Sequence, residues 1–232
     1  MKMRKLFAGI AAAATLLGGM ALGAASAQAD DTPTTVTRDA TFTFTAETAE
    51  QLTNAKLKAY KIGDYVQYGS GENVAYGVVT NSNNKTAVDS ALKAAGVNTT
   101  DSEVDHLAAA LNAGTLDVSA ARPWASPEKT RKFANALESE GKLTAVTSFT
   151  LGKPVPATNG SADAKYTATA TLPAGIYVFI DSAAATGSVT KAIPMIVASG
   201  TVNAEKKVLT DPTAAATVNM KNTNNPGKTK EV

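Results

Sequence analysis

Leu172-Pro-Ala-Gly-Ile-Tyr-Val-Phe-Ile-Asp181 is the most informative stretch of this 232-residue chain. Gly175 is followed by a run of β-branched and aromatic residues, which are enriched in strands. The pattern predicts a strand over 175–181. A Pro-Gly turn separates it from another predicted strand, over 165–172.

The strand signal recurs in both halves of the chain. Thr41-Phe-Thr-Phe-Thr-Ala46 alternates polar and apolar residues, which predicts a strand with Phe42 and Phe44 directed inward. Turns containing Pro, Gly or Asn separate most of the predicted strands. Further strands are predicted at 55–62, 74–80, 143–151, 191–198 and 216–222, with a hairpin over 200–209.

The hydrophobic period changes between about 86 and 141, where three helices are predicted. Thr86-Ala-Val-Asp89 resembles a capping box, Thr100-Asp-Ser-Glu103 opens a second helix, and Ser126-Pro-Glu128 opens a third. Strands, then helices, then strands in one chain predict a mainly β fold. We therefore expect an antiparallel β-sandwich with a three-helix insertion.

The first 29 residues have the composition of a secretory signal peptide. Basic residues precede an apolar run over about 6–25, and an A-x-A site ends at Ala29, which predicts cleavage before Asp30. The apolar run is also long enough to act as an uncleaved membrane anchor, which is the alternative. Residues 30–39 are polar and are interpreted as a flexible lead-in.

Removal of the signal peptide changes the charge balance of the chain. The remaining 203 residues carry 19 basic and 20 acidic residues, a net charge of −1. No basic run indicates nucleic acid or an anionic membrane as a partner. The chain has no cysteine, which excludes disulfides, thiolate metal sites and cysteine nucleophiles.

Patterns that carry chemistry are sparse. His106 is the only histidine and lies at helical spacing, so we interpret it as an ordinary helix residue rather than a metal ligand or a catalytic base. No nucleophile elbow, phosphate-binding loop, dinucleotide fingerprint or EF-hand loop is present, and no cofactor or metal is predicted. A paired-carboxylate glycosidase stays open, because two acids need no local motif. Aromatic residues that would stack on a sugar are Trp124 and the tyrosines at 60, 65, 68 and 76.

Two strings resemble a known family. Lys58-Ala-Tyr-Lys-Ile62 resembles a strand near the start of the N-terminal domain of Gram-positive, actinobacterial-type fimbrial shaft subunits, which sortases assemble into pili. Residues 172–181 resemble a strand of collagen-adhesin B-type and related pilin domains. The resemblance covers about 40–222 and implies an Ig-like sandwich, with the helical block of 86–141 as an insertion.

The resemblance also implies a covalent cross-link inside the domain. Folding domains of the family often join a strand lysine to a strand asparagine beside an acid, and burial favours the neutral, nucleophilic amine. The residues that correspond best are Lys58, Asp181 and Asn222. Lys61 and Asn219 are the alternatives for the lysine and the asparagine, and the strand over 41–46 has no lysine.

Assembly into a polymer is not predicted from this chain. The family uses a reactive lysine in a Tyr-Pro-Lys motif and a C-terminal L-P-x-T-G signal, and the chain contains neither. Leu172-Pro-Ala-Gly175 lacks the threonine and is interpreted as a turn. Residues 223–232 resemble a linker or the start of a further domain. Export from the cell is therefore predicted, with the cell surface as one destination, whereas sortase anchoring is not predicted.

Three functions remain as hypotheses, in order. The first is a non-enzymatic extracellular structural or adhesive protein similar to a pilin domain, whose partners are other pilin subunits or host surface and matrix ligands. The second is a secreted module that binds host matrix or glycans through tyrosine and tryptophan surfaces. The third is a secreted hydrolase.

Overall fold

The structure, a computed structural model, shows a mainly β protein built on two sheets. It describes residues 32–70, 74–101, 104–112, 128–158, 164–183, 190–203, 208–220 and 222. The signal peptide, its cleavage site at Ala29 and Asp30, Trp124 and the predicted linker over 223–232 lie outside these residues. They stay predictions.

Most strands of the described residues follow the predicted order. Two short strands were not predicted: Val155–Pro156, and Thr34–Thr35, which pairs with another strand although it lies in the segment 30–39 that was interpreted as a flexible lead-in. The strands are β1 Thr34–Thr35, β2 Asp39–Ala46, β3 Leu57–Tyr68, β4 Ala75–Thr80, β5 Val155–Pro156, β6 Tyr166–Pro173, β7 Gly175–Asp181, β8 Met195–Ala198, β9 Thr201–Asn203, β10 Val208–Asp211 and β11 Ala216–Asn219.

Two larger sheets and one hairpin result from this order. The first sheet has the order β1-β3-β7-β8, with β4 also paired to β3, and the second has the order β11-β2-β6-β5. All pairs are antiparallel except β11 and β2, which run parallel. β9 and β10 form the predicted hairpin. This arrangement is consistent with a β-sandwich.

The two sheets meet through an aromatic cluster. Phe42 and Phe44 of β2 are fully buried, as the alternation of their strand predicts. The Phe44 ring meets Phe179 of β7 edge to face at 4.9 Å, and Phe42 meets Tyr177 in the same way at 5.2 Å. Such contacts add to the large apolar area that aromatic side chains bury, so this cluster holds the two sheets together.

Four α-helices are present among the described residues. They are α1 Ala49–Thr53, α2 Lys85–Ala94, α3 His106–Asn112 and α4 Glu128–Glu140. α2 packs against α3 and α4, and α3 packs against β4. The buried face of α4 contains Phe133 and Leu137, as its apolar spacing predicts.

Two predicted helix starts are wrong. α2 begins at Lys85 after a short 3-10 turn at Ser82–Asn84, so Thr86 lies inside the helix and forms no cap. α3 begins at His106 rather than near Thr100, because the Asp105 carboxylate accepts the Ala108 backbone N–H at 2.9 Å and so caps this helix.

Two further corrections concern 143–151 and α1. Residues 143–151 were predicted as a strand but form no ladder; they touch the edge of β3 through one bond, from Val146 N–H to Ala59 C=O at 2.8 Å. α1 was not predicted, although Thr48 and Gln51 form a capping box at its start. The predicted strands over 191–198 and 216–222 are shorter, since β8 begins at Met195 and β11 ends at Asn219.

Candidate functional site

The predicted cross-link residues do not come together. Lys58 is exposed on β3 and pairs with Ile180, whereas Asp181 pairs with Leu57. Paired residues share a face of a sheet and successive residues alternate, so Lys58 and Asp181 lie on opposite faces. Lys58 therefore lacks the burial on which the prediction depended.

Asp181 and Asn222 have structural partners instead. The buried Asp181 carboxylate accepts the backbone N–H groups of Lys56, Ala183 and Ala192, each at 2.9 Å. It thereby fixes the end of β7 against the neighbouring loops. The Asn222 side chain is also buried and donates to the Gln51 C=O at 2.9 Å, while the Gln51 side chain donates to the Asn222 C=O.

A different lysine, acid and asparagine meet near the middle of β3. The Lys61 ammonium lies 2.8 Å from one Asp64 carboxylate oxygen, and the Asn81 side-chain amide donates to the other at 2.8 Å. The lysine and aspartate side chains are only 13% and 18% exposed. We call Lys61, Asp64 and Asn81 the lysine cluster.

A β-bulge places Lys61 and Asp64 on the same side. Three residues apart on a regular strand, two side chains point to opposite faces. Here the register against β7 shifts between Lys61 and Gly63, so that one extra residue of β3 is accommodated. The i, i+3 pair can then form its ion pair.

The surroundings fix the lysine cluster further. The Asn83 backbone N–H donates to the Asn81 side chain at 3.2 Å, which orients that amide at the start of the 3-10 turn. The Lys61 ammonium lies 5.9 Å from the centre of the Tyr177 ring. Burial raises the pKa of the Tyr177 hydroxyl, and the charges of Asp64 and Asp39 raise it further. Tyr177 therefore acts as a neutral group that donates to the Pro173 C=O at 2.6 Å.

Gly175 leaves room for the Lys61 side chain. A Cβ at position 175 would lie 2.4 Å from the Lys61 Cε and 2.7 Å from the Gly63 carbonyl oxygen. Both distances are far below contact distance, and the second involves backbone that cannot move freely. The lysine stem therefore crosses β7 at the one residue of that turn without a side chain.

The chemistry that the lysine cluster allows is limited by its charges. Amide formation between Lys61 and Asn81 would need a neutral amine as nucleophile. The structure instead places the Lys61 side-chain nitrogen 2.8 Å from an Asp64 carboxylate oxygen, at ion-pair distance. We interpret the cluster as an internal electrostatic link between β3 and the residue that follows β4.

His106 is part of a second polar cluster. Its Nδ1 lies 2.9 Å from the Asp89 carboxylate and its Nε2 lies 2.8 Å from the Asp101 C=O. Asp89 also forms an ion pair with Lys85 at 2.7 Å. The histidine is buried and ties α3 to α2 through these contacts. Among the described residues, no group of three or more His, Cys, Asp or Glu side chains could hold a metal ion.

The tyrosines proposed as a binding surface are largely inside the protein. Tyr65 and Tyr68 are buried, and Tyr60 and Tyr76 are half-buried. An open groove of about 360 Å³ lies elsewhere, between the start of β3 and the segment before β5. Phe149 is its single aromatic lining residue, and Lys56 and Lys153 lie at its rim.

Two comparisons with known proteins found no match for this chain. No protein-family model matches it, and no curated protein matches it either. In the part of the chain that the structure describes, no helix has the length and apolar character needed to span a membrane. The class that the structure itself defines is a mainly β protein whose sheets are antiparallel apart from the pair of β2 and β11.

Proposed function

We propose that this chain is a non-enzymatic extracellular structural or adhesive protein, similar to the N-terminal domain of a fimbrial shaft subunit. The observation that carries the proposal is the pairing of the two strings on which the resemblance rests. Lys58-Ala-Tyr-Lys61 of β3 lies directly beside Tyr177-Val-Phe-Ile180 of β7, residue against residue. The two strings therefore belong to one structural unit at the centre of the first sheet.

The Ig-like type of sandwich is part of this proposal. Its support is the way in which the chain alternates between the sheets, with β1 and β3 in one and β2 and β6 in the other. The helical block, α2 to α4, is attached between β4 and β5. On this proposal, the sheets bear the mechanical role and the helices enlarge the surface available to neighbours.

The test is a comparison of cells with and without the gene. We expect the deletion strain to lose surface fibres or adhesion to matrix-coated wells, and a plasmid copy of the full gene to restore them. A deletion strain with unchanged fibres and unchanged adhesion contradicts the proposal. If the deletion strain is unchanged and the purified chain binds one glycan specifically on an array, the secreted binding module is favoured instead.

A further inference from the structure

We propose that the parallel pair of β2 and β11 is a shear clamp, which makes this domain resist force applied between its two ends. The resistance would follow from the parallel pairing of these two strands. The proposal rests on the proposed function only for the source of the force. β2 is the first long strand and β11 the last described one. They pair with Phe42 opposite Ala216 and Thr45 opposite Asn219.

The direction of the two strands determines how they are loaded. In a parallel pair, the beginning of β2 and the end of β11 lie at opposite ends of the pair. A force that separates the chain ends therefore slides the two strands past each other along their length. All the hydrogen bonds between them must then fail together, rather than one after another.

β2 is held firmly in the molecule. Its other edge pairs with β6 over eight residues, from Asp39 opposite Pro173 to Ala46 opposite Tyr166. Before it, β1 pairs with β3, and the Val36 N–H donates to the Tyr65 C=O at 2.8 Å. The part expected to slide is therefore β11, which is an edge strand among the described strands.

Buried side chains hold β11 and the residues that follow it, in addition to the backbone bonds of the strand. Every second residue from 216 to 222 is buried, and sliding would draw each of them out of the core. These four residues are Ala216, Val218, Met220 and Asn222.

Polar contacts of Thr45 cross the same junction near its end. The Thr45 hydroxyl lies 3.4 Å from the Val218 carbonyl oxygen and 3.1 Å from the Asn219 side-chain oxygen, and the Met220 N–H donates to the Thr45 C=O at 2.8 Å. One step further on, the reciprocal bonds between Gln51 and Asn222 tie the chain to α1. The side chain of Thr45 therefore joins the strands in addition to their backbone bonds.

The test pulls the same strand pair in two directions with single-molecule force spectroscopy. The chain over 30–232 has no cysteine, so introduced cysteines are unique attachment points. One protein carries handles at both chain ends and loads the pair in shear. The other carries handles at Glu47→Cys and the C-terminal end. Glu47 is exposed and follows β2 directly, so this geometry unzips the pair from one end.

We expect the shear geometry to unfold at a force several times that of the unzipping geometry, at the same pulling rate. Forced unfolding reports the barrier that the strained bonds create. Thr45→Val should lower the shear force more than Thr43→Val, its matched neighbour on the same face. Equal forces in the two geometries would overturn the clamp, and equal losses in the two variants would overturn the part given to Thr45.

The outcome is separable from the proposed function. Equal forces in a protein that is needed for surface fibres overturn only the clamp. A strong clamp in a protein whose deletion changes neither fibres nor adhesion overturns only the fimbrial role.

Discussion

At the scale of the residue, the lysine cluster depends on a bulge and on a glycine. Lys61 reaches Asp64 because β3 carries one extra residue, and it crosses β7 where Gly175 has no side chain. Neither condition is visible in the spacing of the charged residues. The predicted strand over 55–62 ends before Asp64, and an i, i+3 pair on a regular strand would lie on opposite faces, so sequence reasoning could not find the pair.

Gly175→Ala tests this arrangement. We expect a loss of about 2–4 kcal/mol in the free energy of unfolding, because the new Cβ would displace the Lys61 stem and press on the Gly63 carbonyl. The matched control is Gly141→Ala, where φ is +64° and no atom lies within 4 Å. It should cost only about 1 kcal/mol for the backbone conformation. If urea titrations show equal losses of unfolding free energy for Gly175→Ala and Gly141→Ala, the Lys61 side chain does not need the space beside Gly175.

Intact mass measures whether the implied cross-link forms. We expect the purified chain to have the mass of its sequence, because Lys58 is exposed and Lys61 forms an ion pair with Asp64. Amide formation would release ammonia and remove about 17 Da. A mass lower by one ammonia that returns to the sequence mass in Asn81→Ala would contradict our interpretation of the lysine cluster.

At the scale of the element, the strands were predictable and several connections were not. β7 has the predicted bounds, Gly175–Asp181, since a run of β-branched and aromatic residues between turns has few alternatives. α1 carried a recognisable signal in Thr48 and Gln51 but is only five residues long. The segment over 143–151 has strand-like composition, yet its partners are isolated groups such as the Asn84 side chain, which accepts the Thr144 N–H at 2.7 Å. Tertiary context decided both cases.

The junction of α2 and α3 predicts a pH dependence. Burial alone would raise the pKa of the Asp89 carboxyl, but hydrogen bonds and charges from Lys85 and His106 outweigh it and lower the pKa. A lowered pKa in the folded state stabilises the protein above the unfolded value of about 3.9, and this stability is lost as the pH falls through the folded value. Asp89→Asn should therefore cost about 1 kcal/mol at pH 7, and the cost should shrink as the pH falls below about 3.9 and through the folded-state value.

The control for that prediction is an exposed pair. Glu128 forms an ion pair with Lys132 on the surface of α4, and Glu128→Gln should leave stability unchanged at both pH values. Chemical denaturation of the wild type and of both variants at pH 7 and pH 3 gives the four differences in unfolding free energy that are needed. A cost of Asp89→Asn that is as large at pH 3 as at pH 7 would contradict the electrostatic explanation.

The contact between the sheets predicts the largest loss of stability. Phe44 is fully buried and meets the rings of Phe149 and Phe179. Phe44→Ala should cost about 3–5 kcal/mol, from lost transfer energy and the cavity that remains. Phe149→Ala, in the same cluster but half-buried, should cost clearly less in the same thermal and urea measurements. A larger loss of stability for Phe149→Ala than for Phe44→Ala would show that the core is not centred on β2.

At the scale of the whole molecule, the two sheets form a unit whose first long strand and last described strand lie side by side. The sequence predicted the mainly β class, because alternation and turn residues are local signals. The parallel pairing of β2 with β11 joins residues more than 170 positions apart and has no local signal. The same is true of the contact between Gln51 and Asn222.

We propose that this protein acts outside the cell as part of a surface structure. Immunogold electron microscopy of intact cells, with antibodies against the folded chain over 30–232, tests it most directly. We predict label on the cell surface or along fibres that extend from it, and no label in a deletion strain. Label that appears only inside sectioned cells, with intact cells unlabelled, would contradict the account.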